Sequence, residues 1–155
     1  MRRRFVKALL VAATLVAFGC EKKYKDNDPL EPVSVVPRIE LVSVSPTVVQ
    51  QLHDSIVFTV RYTDGDGDLG FESADSMSVE LTDNRFPLTF HYHLQPLTPS
   101  GAAVSITGLL PVVLANTILQ HPDGGAEQAT FSLRLKDRAG HWSNAVATPT
   151  VTVNP

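Results

Sequence analysis

From Arg38 onward the chain alternates apolar and polar residues with a period of two. Ile56, Phe58, Val60 and Tyr62 fall on one side, and Val57, Thr59 and Arg61 on the other. Phe131, Leu133 and Leu135 alternate with Ser132, Arg134 and Lys136. Successive side chains of a β-strand point to opposite faces, so such runs are half-buried strands with one wet face. The same reading applies to Ile39, Leu41 and Ser43 against Glu40, Val42 and Val44. It applies to Met77, Val79 and Leu81, to Leu88, Phe90, Tyr92 and Leu94, to Val104 and Ile106, and to Val146, Val151 and Val153. Turn-forming clusters separate the runs, at Ser45-Pro46, residues 64–70, Asp83-Asn84, and residues 96–101, 121–125 and 137–144. Only 109–119 resists assignment, because it is apolar without a period. About seven short strands and no amphipathic helix predict an all-β fold, an immunoglobulin-like β-sandwich over residues 38–155. Its expected core includes Ile56, Phe58, Val60, Leu133, Leu135 and Val151.

Ahead of the strands the sequence is different. Residues 1–7 hold four of the 13 basic residues (Arg2, Arg3, Arg4 and Lys7). From Ala8 to Gly19 only Thr14 is polar. Twelve helical residues span about 18 Å, short of a bilayer core of about 30 Å. Residues 1–19 are therefore expected to be a signal peptide. Gly19-Cys20 ends this run. Residues 20–37 carry Lys22, Lys23, Lys25, Asp26, Asp28, Glu31 and three prolines with no apolar periodicity. They predict a flexible linker reaching at most about 55 Å.

Charge narrows the partners. Without the basic leader, nine basic residues face 16 acidic ones. A domain that acidic is unsuited to phosphate backbones, so no nucleic acid is expected. A single cysteine excludes a disulfide framework or a multi-cysteine metal site.

The run Leu15-Val16-Ala17-Phe18-Gly19-Cys20 resembles the lipobox of bacterial lipoproteins. The resemblance implies that Cys20 is lipidated and becomes the mature N-terminus. It departs from the usual pattern at Ala17 and Phe18, and an ordinary secreted protein with a free thiol is the alternative. Arg2-Arg3-Arg4-Phe5-Val6-Lys7 resembles a twin-arginine export signal, although basic leaders of the general secretory route also read this way. Together with the segments Thr63-Asp64-Gly65-Asp66-Gly67-Asp68-Leu69-Gly70 and Asp137-Arg138-Ala139-Gly140-His141-Trp142-Ser143-Asn144, the lipobox resembles uncharacterised Bacteroidetes lipoproteins with one bacterial Ig-like domain. That resemblance implies an outer-membrane lipoprotein, facing the periplasm or the cell surface, held to the membrane by its lipid anchor. It implies no activity.

The chemistry concentrates in one loop. Asp64, Asp66 and Asp68 alternate with glycines just after a strand. Carboxylates at alternate positions of a tight loop are how a hard cation gathers oxygen ligands. Calcium is the expected cofactor, and a solvated acidic turn is the alternative. Glu72 or Asp75 could add oxygens. Asp75 stands eleven residues after Asp64, the spacing of an EF-hand glutamate. Leu69 occupies the position where an EF-hand needs glycine, and the flanks are strands, so an EF-hand is excluded. In an Ig fold the connection after the second strand and the one before the last emerge at the same end. Asp137 is then either a further metal ligand or the cap of its own hairpin.

Other groups carry weaker signals. His91 and His93 share a strand face but lack a third zinc ligand. Trp142 sits in a turn, where it either meets a partner or lids the end of the sandwich. No nucleophile elbow, phosphate loop or triad spacing is present. The expected function is non-enzymatic: an accessory or adhesion module for an unknown protein or glycan partner. A carbohydrate-binding accessory of a polysaccharide uptake system is the alternative, and a small hydrolase the third reading.

Overall fold

The computed structural model of the chain describes residues 32–86 and 88–155. The expected signal peptide, Cys20 and most of the expected linker lie outside them. The described residues form β1 (Arg38–Ser45), β2 (Val48–Gln50), β3 (Ile56–Asp64), β4 (Val79–Asp83), β5 (Leu88–Tyr92), β6 (Ile106–Leu114), β7 (Glu127–Ala129), β8 (Phe131–Leu135), β9 (Val146–Ala147) and β10 (Val151–Asn154). They contain no α-helix, only one short 3-10 turn at Pro122–Gly124. None of their helices is long and apolar enough to cross a membrane.

The fold is the expected all-β sandwich. One layer is β1-β3-β6, antiparallel throughout. The other is β5-β4-β8-β9, flanked by β2-β10-β7. Only Thr130 separates β7 from β8. Thr148 bridges the matching gap between β9 and β10, since its amide donates to Phe131 O and its Oγ1 accepts from Phe131 N. Three strand runs are thus interrupted once each, which is why ten segments stand where about seven strands were expected. The first run changes layers at its interruption: β1 pairs with β3, then β2 pairs in parallel with β10.

The alternation explains the core. Ile56, Phe58 and Val60 of β3 and Phe131, Leu133 and Leu135 of β8 are all at most 1% exposed. Phe58 and Phe131 meet edge to face across the layers, with ring centroids 5.1 Å apart. That geometry adds to their burial. Phe58→Ala would cost about 3–5 kcal/mol.

Three expectations are corrected. A register shift between Leu41 and Ser43 places a bulge at Val42. The extra residue reverses the alternation, so Val44 packs on the core with Ile39 and Leu41, while Ser43 faces solvent. Met77 lies ahead of β4 and is exposed, and Ser78 is buried in its place. The unassigned stretch 109–119 begins inside β6. Leu110, Val112 and Leu114 point inward, but Leu109, Pro111 and Val113 point out, so no polar residue marks the period. Pro111 is tolerated because among the described strands β6 pairs only with β3, which leaves it at the edge of its sheet.

Candidate metal centre

The period of β3 carries one residue further than its apolar side chains. Residues 56, 58, 60, 62 and 64 share the inward face, so the strand ends by turning Asp64 into the protein. Asp64 has no exposed surface. The chain then turns through Gly67, at φ 73°, and Gly70, at φ 85°. Both need the left-handed region that glycine enters freely. A Cβ on Gly67 would also collide with the Val104 carbonyl. Thr98 fixes this bend by donating its hydroxyl to Gly67 O at 2.6 Å. Leu69, fully buried, anchors the far side of the loop in the core.

The loop meets the 137–144 turn, as the topology predicts. Leu69 and Asp137 form an isolated antiparallel bridge. Arg138 N donates to Asp68 O, and Ala139 N to Asp68 Oδ2 at 3.0 Å. Asn144 Oδ1 accepts from Ile39 N and its Nδ2 donates to Ile39 O, each at 2.9 Å. The side chain thereby continues the sheet past β1.

Asp64, Asp66 and Asp68 each offer one carboxylate oxygen within 4.8 Å of the others. Calcium binds oxygens at 2.3–2.6 Å, so two such bonds span about 5 Å. Both oxygens of Asp64, Oδ1 of Asp66 and Oδ1 of Asp68 are buried without a hydrogen-bond partner. Among the described residues no lysine, arginine or histidine forms an ion pair with these three. Burial pushes the Asp64 carboxyl up to about 6, with the Asp66 and Asp68 charges adding to the effect. The Asp68 amide pulls weakly the other way, without reaching hydrogen-bond geometry. Asp68 is raised too, by burial first and then by Asp137 and Asp66. A buried carboxylate with neither counter-ion nor donor must take up a proton or a cation.

The remaining candidates are placed as follows. Asp137 is fully buried beside the cluster, but its Oδ1 accepts from His141 N at 2.7 Å and its Oδ2 meets His141 Nδ1 at 2.8 Å. It caps its own hairpin and contributes negative potential to the neighbouring loop. Asp75 is exposed and stands outside the three-carboxylate group. Glu72 is exposed and accepts from Ser100. Trp142 is half-buried, with the Arg134 guanidinium 4.0 Å from its ring centroid and the Lys136 amine at 5.6 Å. His93 Nδ1 is held at Ser76 O and His91 faces Glu80, so the two do not act together. Ser143, near the Asp137–His141 pair, is committed to structure, accepting from Leu135 N and donating to Asn144 O.

A second carboxylate cluster lies at the other end of β4 and has no signal in the local sequence. Arg85 bonds Asp83 through Nε and Nη2, Glu127 through Nη1 at 2.9 Å, and Thr117 Oγ1 through Nη2 at 3.0 Å. The Gln120 and His121 amides complete Glu127 and hold its carboxyl below the usual range.

No protein-family model matches the chain, and no curated protein matches it.

Proposed function

We propose that this protein is a non-enzymatic cell-envelope lipoprotein, an Ig-like accessory or adhesion module carried on a tether from a lipidated Cys20 at the outer membrane. Calcium at Asp64, Asp66 and Asp68 stiffens the end of the sandwich nearest that tether. Three carboxylates supply part of the six to eight oxygens that calcium takes, and water or loop carbonyls complete the shell. The observation that carries the cation reading is Asp64: fully buried, both oxygens unpartnered, facing two more carboxylates. Calcium suits the reading better than magnesium, which demands a tighter octahedron and keeps most of its waters.

The partner is a protein or glycan outside the cytoplasm. A glycan-binding role draws less support from the aromatic rings, since Arg134 covers Trp142 and Tyr92 is half-buried. Titration calorimetry with calcium chloride tests the cation reading: one saturable site is expected in the wild type and none in Asp66→Asn. Labelling cells with a palmitate analogue tests the anchor. Incorporation should depend on Cys20, and a Cys20→Ser protein that is still labelled would overturn lipidation there.

A further inference from the structure

The last residues of the expected linker are not free of the domain. Arg38 pairs with Thr63 at the end of the β1–β3 ladder. Ahead of it Pro37 is buried, and the chain continues alongside the acidic loop. Gly65, between Asp64 and Asp66, donates its amide to Ser34 O at 2.9 Å. The approach is so close that a Cβ on Gly65 would lie 2.6 Å from Ser34 O and would overlap Val33 O. Ser34 Oγ accepts from Val36 N at 3.0 Å and closes the turn that brings these carbonyls in. The backbone of the tether thus rests on a loop glycine flanked by two carboxylates of the cation site, Asp64 and Asp66.

From this contact we infer that calcium in the acidic loop latches Val33–Pro37 onto the domain, and that losing calcium releases them into the tether. The inference rests on the cation reading of the loop. Without a cation, like charges on Asp64, Asp66 and Asp68 push the loop apart. Gly65 lies between the first two, so its amide and its open face move with them. With the cation bound, the loop has one shape and the Ser34 carbonyl has a fixed donor. Release of five residues would lengthen the tether by about 17 Å. It would also remove the fixed direction in which the chain leaves the sandwich. Calcium then sets both the reach and the aim of the module.

The test is limited proteolysis of the full-length protein in detergent, with elastase, in calcium chloride or in chelator. Cuts after Val33 and Val35 are read by mass spectrometry, and melting is followed in parallel. Calcium should raise the melting temperature and slow those cuts at least tenfold. In Asp66→Asn both effects should vanish. In the double variant Ser34→Gly, Pro37→Gly, which leaves every carboxylate in place, calcium should still raise the melting temperature while the cuts stay fast. If calcium stabilises the wild type but leaves the cuts unchanged, the latch is wrong and the cation site stands. If calcium changes neither melting nor cutting, the cation site and the latch fall together.

Discussion

Each end of this sandwich buries carboxylates, and the two ends handle the charge in opposite ways. At one, Asp83 and Glu127 close on Arg85, whose side chain is 9% exposed, with Thr117 and two backbone amides satisfying the rest. At the other, Asp64, Asp66 and Asp68 face each other with four buried oxygens unpartnered, and among the described residues none of the three forms an ion pair, although Arg138 stands near enough to pull the Asp68 carboxyl partly back down. Their chemistry is the same and their surroundings differ. A carboxylate cluster that contains its own cation is part of the scaffold. One that lacks a cation is complete only when solution supplies it. The difference separates a structural ion network from a candidate cation site without any appeal to the identity of the residues.

The largest effect expected from this contrast is at the self-neutralised end. Arg85→Met leaves Asp83 and Glu127 facing each other without a counter-charge. Breaking a buried pair in this way costs about 3–5 kcal/mol. Urea denaturation should report that loss equally in calcium and in chelator. A loss that calcium repairs would mean the two ends are not independent.

Next comes the calcium effect. Binding to the folded state alone adds about 2.7 kcal/mol at a hundredfold excess over Kd. For a domain of this size that is on the order of 10 °C in melting temperature. Chelator should reverse it, and Asp66→Asn should remove it while leaving the calcium-free protein nearly unchanged. A melting temperature indifferent to calcium and chelator would make the acidic end an ordinary turn.

A smaller effect concerns protons. The Asp64 carboxyl is raised to about 6 in the folded protein, above its ordinary value of 3.8. The folded state therefore holds this proton more tightly than the unfolded state does. Without calcium, the contribution of Asp64 to stability should be greatest below pH 4 and should fall as pH rises from about 4 to about 6. Allowing for solvent at the open side of the loop, the change is about 1–2 kcal/mol. Calcium binds the ionised form, so its contribution should run the other way and fade as pH drops through about 6. Melting curves between pH 4 and 8, with calcium and with chelator, should converge on the acid side. Asp64→Asn should flatten the calcium-free profile.

The smallest effect lies between the ends, on the outer face of β4 and β8. Arg134 pairs with Glu80 and covers Trp142, but is 45% exposed. Such a pair is worth at most about 1 kcal/mol. Arg134→Ala should shift Trp142 fluorescence with little change in melting, and no change in the calcium response.

Sequence pattern reveals the strands wherever one face is wet. β3, β4 and β8 put polar residues on their outer faces, and their core positions can be read off directly. β6 hides its period because Leu109, Pro111 and Val113 occupy its outer face. The bulge at Val42 is hidden as well, because Val42 and Val44 are the same residue with opposite orientations. Of the acidic end, the three aspartates stand out by their spacing. The burial of Asp64 was also readable, since it continues the inward series of Ile56, Phe58, Val60 and Tyr62. The role of Asp137 was not, because its partner His141 competes with any metal only once the turn is built. The Arg85 network joins residues 42 positions apart, a distance over which local pattern carries nothing.

The ladder between β1 and β3 has a mechanical consequence. Its registered pairs run from Arg38 with Thr63, beside the acidic loop, to Ser45 with Val57. A pull on the chain ahead of Val33, resisted by a partner gripping the opposite end, acts along the strands. The hydrogen bonds of the ladder then share the force and yield together, instead of opening one at a time like a zipper. Beyond the layer switch, β2 lies parallel to β10 and would be dragged lengthwise in the same way. A pull of that kind loads the β1–β3 ladder in shear.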